Sequence, residues 1–194
     1  MSMTPRTEPS GASYVEWSAV IAGAVLAMAI SVVLLQFGSA IGLAVTEPLR
    51  GEGLDPAWRT IAIGIWLLWV QLLASLSGGY LAGRMRAPVL DSTPHEMEFR
   101  DGVHGLLVWA VAMVVVAAGT ALAAALAALA PETAGQAART QAMLDLEANK
   151  STIFAFAAAA ISIVSAVAAW WAATVGGDHR DKAVDFSRYL TFRR

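Results

Sequence analysis

Four stretches of this chain carry almost no polar side chains, and the polar residues gather between them and at the two ends. The apolar stretches cover roughly residues 17–44, 59–83, 103–130 and 152–175. A hydrocarbon core of about 30 Å is crossed by about 20 helical residues at 1.5 Å each. Each stretch is therefore long enough to be one membrane span. Pro48 ends the first and Pro131 the third, while glycines and Arg84 close the second. Pro88 and Pro94 argue against a helix running through the charged segment between spans two and three. A short helix is expected around Ala137, Leu144 and Ala148, with Asn149 or Ser151 capping the fourth span.

The ends read differently. Residues 1–13, with Pro5, Pro9 and Gly11, predict a disordered tail. The stretch after it is longer than the 7–15 apolar residues of a signal peptide, so it is expected to stay as a permanent span. Residues 183–194 set Phe186, Tyr189, Leu190 and Phe192 among Arg188, Arg193 and Arg194, a mix suited to anionic lipid headgroups. The expected fold is thus all-α: an integral-membrane four-helix bundle of two consecutive hairpins, built from residues 14–182 between the two tails.

Composition agrees with a membrane class. Hydrophobic residues make up 57% and charged residues 14%, against about 25% charged in soluble domains. A net charge of −2 speaks against nucleic acid as a partner. The chain has no cysteine, which excludes disulfides, thiolate metal sites and cysteine nucleophiles. With four spans both termini share a side. That side holds nine cations: Arg6, Arg84, Arg86, Arg100, Arg180, Lys182, Arg188, Arg193 and Arg194. The other side holds four, Arg50, Arg59, Arg139 and Lys150. The positive-inside rule then puts both termini in the cytoplasm, with Tyr14, Trp17, Tyr80, Trp109, Trp170 and Trp171 at the cytoplasmic interface.

Helices associate in lipid through small residues that let backbones approach. Span one carries Ala19, Gly23, Ala27 and Ser31 at four-residue spacing, and Gly38 with Gly42; span two carries Ser75, Gly79 and Gly83. Span three has Gly119, Ala123 and Ala127, and span four Ser165, Ala169, Ala173 and Gly177. These ladders predict packing within the bundle, with the span-one ladder as the alternative homo-oligomer interface. The alanine-rich stretches 117–130 and 155–160 are expected in the bundle interior or against another subunit. Gln36 and Gln71 are the amides within spans. They fit interhelical hydrogen bonds or, alternatively, steps on a solute path.

Charge at the cytoplasmic level comes from every span: Glu16, Arg84, Asp101, His104, Asp178 and Arg180. A network is expected there, with Arg84 paired to Asp101 or Glu16. His95, Glu96, Glu98, Asp101, His104, Asp178 and His179 have the chemistry of metal ligands. They lack the second histidine of a zincin helix, however, and a solvated polar loop accounts for them. Phosphate loops, nucleophile elbows and kinase signatures are absent, and no catalytic, cofactor or metal residue is assigned.

The segments YVEWSAVIAGAVLAMAISVVLLQFGSAIGL, GGYLAGRMR, RDGVHGLLVWA and WWAATVGGDHRD…DFSRYLTFR resemble an uncharacterised family of small four-span bacterial membrane proteins. Members are sometimes labelled PhnA-like. Proteins properly of that name resemble zinc ribbons held by cysteines, which this chain lacks. The resemblance implies a bacterial inner-membrane location and brings no activity or cofactor. The expected function is non-enzymatic, structural or accessory, and oligomeric, with lipid, a second copy or an unknown protein as partner. The alternative is a small channel or carrier; a metalloenzyme trails both.

Overall fold

A computed structural model describes residues 14–41, 56–88, 93–129 and 134–183. It contains four α-helices: α1 Trp17–Ala40, α2 Pro56–Met85, α3 Pro94–Ala128 and α4 Ala134–Asp181. All four are long and apolar enough to cross a membrane, and the protein is an all-α four-helix bundle. Both expected tails, apart from Ala183, and Gly42 lie outside the described residues.

Two helix boundaries depart from the sequence expectation. Pro94 does not interrupt α3 but begins it, because the first helical position needs no N–H and suits proline's fixed φ. The Thr93 hydroxyl accepts the Glu96 N–H at 3.3 Å. This is the cap of a Ser/Thr-x-x-Glu signal, and it starts α3 nine residues before the apolar stretch does. The second departure is larger. The anticipated loop helix and fourth span form one helix of 48 residues, roughly 72 Å long at 1.5 Å per residue. Asn149 and Ser151 fall inside α4 and so are not at its start.

Helix α2 touches each of the other three, most extensively α4, whereas α1 and α4 do not touch among the described residues. The crossings are made by glycine. Gly23 of α1 faces Gly78 of α2 so closely that a Cβ on either would sit 2.5 Å from the other's carbonyl oxygen. Gly79 and Gly83 lie against the Ala169 and Ala173 carbonyls of α4, and Gly176 against that of Tyr80. Gly105 of α3 meets Ala169, and Gly102 lies on the Trp170 ring. Around these contacts Ala19, Val20, Ala24, Ala82, Val108, Ala169 and Ala173 are buried. Near the other end of α1, Gly38 lies under the Trp66 indole, which also meets the Phe37 ring at 6.1 Å.

The ladder Ala19–Gly23–Ala27 is therefore used inside the chain, with Ser31 half-buried and donating to the Ala27 carbonyl. That face is not available to a second copy. Conversely, α3 from Met113 to Leu126 and α4 from Phe156 to Ala160 are exposed, Gly119 and Ala123 included. A Cβ on Gly119 would meet nothing within 4 Å. The alanine-rich stretches do not enter the bundle interior. The interior closes around the glycine crossings, and α3 and α4 run on beyond them; the Ala127 side chain lies outside the described set.

Candidate functional site

The polar chemistry is concentrated where α2 and α4 end and where α1 and α3 begin. Asp101, with its side chain 3% exposed, stands at the centre. Its Oδ1 accepts from Arg86 Nε at 2.5 Å and from Arg180 Nη1 at 3.2 Å, and its Oδ2 accepts from Arg180 Nη2 at 3.2 Å. Gly177 makes the space, since a Cβ there would collide with the Asp101 carboxylate. Arg180 extends the cluster. Its Nη1 donates to the carbonyls of Gly83 at 2.9 Å and Arg86 at 3.1 Å, and its Nε and Nη2 hold Asp181 at 2.7 and 3.0 Å. The carbonyls at a helix C-terminus have no intrahelical partner and carry partial negative charge. A guanidinium from α4 thus caps α2 while neutralising an acid from α3. Buried charges persist when paired and fully hydrogen-bonded in this way.

A second set of bonds secures the start of α1. Glu16, its N-cap residue, sends its carboxylate to the Ala87 N–H at 2.7 Å, just beyond α2. Its own N–H donates to His104 Nε2 at 2.9 Å. The other ring nitrogen, Nδ1, lies 2.7 Å from the Arg100 carbonyl. A backbone N–H only donates and a carbonyl only accepts, so the geometry requires the neutral Nδ1–H tautomer. Arg100 in turn bonds Glu96 at 2.8 Å and lies 4.3 Å over the Tyr14 ring.

The expected network is thus present with different partners. The acid anticipated for Arg84 is held by Arg86 and Arg180, and the Glu16 carboxylate takes a backbone amide. Arg84, half-buried, has interactions of its own. Asp178 is exposed and bonded to Lys182 at 2.8 Å, away from the cluster. Arg86, which the network expectation omitted, is as buried as Asp101.

Deeper in the bundle, Ser165 is wholly buried. Its hydroxyl accepts from Gln71 Nε2 at 3.3 Å and Trp109 Nε1 at 3.1 Å, and donates to the Ser162 carbonyl at 2.9 Å. One hydroxyl joins α2, α3 and α4 and uses its full capacity. Gln71 and Trp109 are therefore turned into the bundle, whereas Gln36 is exposed on α1. Tyr14, Trp17 and Trp171 are exposed near the charged end, while Tyr80 turns to His179 Nδ1 at 3.2 Å.

The chain matches no family model, and no curated protein or solved structure is similar to it. Among the described residues no group of three or more His, Asp or Glu stands close enough to hold a metal ion. His95 and Glu98 are exposed on the first turns of α3. Glu96, Asp101 and Asp178 face cations, His104 is occupied by backbone, and His179 meets Tyr80. What this arrangement does chemically is join four helix ends.

Proposed function

We propose that this chain is a multi-pass protein of the bacterial cytoplasmic membrane, non-enzymatic, with a structural or accessory role performed as an oligomer. The observation that carries the reading is the exposed outer part of α3, from Met113 to Leu126. It mixes Val114, Val115, Leu122 and Leu126 with Ala117, Ala118, Gly119, Ala121 and Ala123 to Ala125. Small side chains gain little from acyl chains and more from a helix that can come close. The exposed Phe156–Ala160 segment of α4 has the same character. A second copy of the chain suits this surface, and the α1 ladder, spent inside the bundle, does not compete for it. The resemblance to small four-span bacterial proteins is consistent with this assignment.

The test exploits the absence of native cysteine. Single cysteines placed from Ala117 to Leu126 should give disulfide-linked dimers in native membranes, with helical periodicity and maxima near Gly119 and Ala123. Single-step photobleaching in sparse bilayers, with no crosslinking at any position, would overturn the oligomer. Orientation is proposed on the nine-to-four cation bias. A cysteine at Ser92 should react with an impermeant thiol reagent from the cytoplasmic side and one at Gly53 from outside; the reverse pattern would invert the topology.

A further inference from the structure

Among the described residues His104 is the largest wholly buried side chain, 1% exposed, and backbone groups engage both its nitrogens. Nε2 accepts from the Glu16 N–H, and Nδ1 faces the Arg100 carbonyl. A second proton, on Nε2, would point at the Glu16 N–H. Two donors cannot share one contact. An imidazolium at position 104 and a docked Glu16 therefore exclude each other.

We propose that His104 is a proton-released latch on the start of α1. Two bonds hold Glu16: the one to His104 and the one from its carboxylate to the Ala87 N–H. Inward of them α1 is fixed by Ala19 and Val20 in the core and by close packing at Gly23 and Gly78. Protonation of His104 breaks the first bond, and the residues before Ala19 swing away from Ala87, lifting Val15 off the core, while the rest of the bundle stays assembled. The charged groups around the latch are Glu16 on α1, Arg100 and Asp101 on α3, and the Arg86 and Arg180 guanidiniums that hold Asp101 from the end of α2 and from α4, with Tyr14 under Arg100. Arg84 stands two residues before Arg86 with interactions of its own. Asp101 is committed to two guanidinium groups. The Glu16 carboxylate, bonded to Ala87, leaves with α1. Opening takes up at most one proton, so the ratio of open to docked molecules should rise on acidification by up to about tenfold per pH unit. Such a latch would report the acidity of the compartment that this end of the bundle faces. It does not depend on self-association.

The experiment uses the full chain in lipid nanodiscs. Spin labels go on cysteines replacing Trp17 and Met85, both exposed, and distances are read by pulsed electron resonance from about pH 7.5 to about pH 5. A single short distance at neutral pH, joined by a longer one that grows on acidification, is expected. His104→Gln keeps an acceptor for Glu16 but takes no proton, and should hold the short distance throughout. A wild-type distance that does not change by pH 5 would overturn the latch. So would equal growth of the long distance in His104→Gln, which would assign the response to Glu16 or Asp101. Should the glutamine variant fail to dock at neutral pH, nitrogen spectra of labelled histidine in the wild type decide. Imidazolium signal from His104 that rises together with the long distance supports the latch; imidazolium in molecules keeping the short distance refutes it.

Discussion

Arg86 stands one residue beyond α2, where a helical projection no longer says which way a side chain points. Its backbone bends there, and the guanidinium turns into the bundle. The sequence therefore marks where charge collects but not which arginine is spent on Asp101. Arg84 and Arg86 look equivalent in the string; the end of the helix separates them. Removing one member of a buried pair strands the other charge, at about 3–5 kcal/mol. Asp101→Ala should lower stability in lipid by about that much. The cycle of Arg86→Ala with Asp101→Ala should show coupling of about 1–3 kcal/mol, and the cycle with Arg84→Ala a smaller one. Reversible unfolding in bicelles measures both, and equal couplings would return the acid to Arg84. Ala183 carries a second prediction. Its φ of +48° follows the last turn of α4, a position where glycine is usual. Ala183→Gly should stabilise the end of α4 by up to about 1 kcal/mol, read as slower amide exchange in the last turn of α4.

At the scale of the element, hydropathy located four helices, but it could not set their ends. It records the membrane, whereas helix ends are set by hydrogen bonds. Thr93 and Glu96 form a capping signal three residues apart, legible in the string yet outweighed there by Pro94. The glycines before Arg84 read as a stop in the string, but Gly83, like Gly176, is helical because a neighbouring backbone fills the space a side chain would take, and Gly177 because the Asp101 carboxylate does. A glycine series separates the two roles. Gly79→Ala and Gly83→Ala press a Cβ onto α4 backbone and should each cost about 1–3 kcal/mol. In the dispersed monomer Gly64→Ala and Gly119→Ala meet nothing within 4 Å and should be neutral or slightly stabilising. Thermal unfolding in detergent ranks all four, and similar losses would mean that the crossings do not set stability. The continuity of α4 is checked by labels at Gln141 and Phe156. Fifteen helical residues give a backbone rise of about 22 Å, and a broken helix would give a broad distribution instead.

For the whole molecule, the bundle is tight where the charges are and open where α3 and α4 run on alone. The small-residue ladders were legible; their destinations were not, because a ladder fits a sister helix and another subunit equally well. Only the pairing of Gly23 with Gly78, and of Gly79 with Ala169, tells which one is met. The Arg86–Asp101–Arg180 cluster also fixes an order of biosynthesis. Arg86 and Asp101 emerge from the ribosome within fifteen residues of each other, but Arg180 follows 79 residues after Asp101. Until then Asp101 has one of its two guanidinium partners, and the carbonyls of Gly83 and Arg86 lack their cap. The last turn of α4 completes the hydrogen bonding of this cluster, so a chain that stops before it should offer proteases an uncapped end of α2. Truncation after Val175 should shorten the protein's lifetime in the cell far more than truncation after Ala183, and Arg180→Gln in the full chain should reproduce part of that loss.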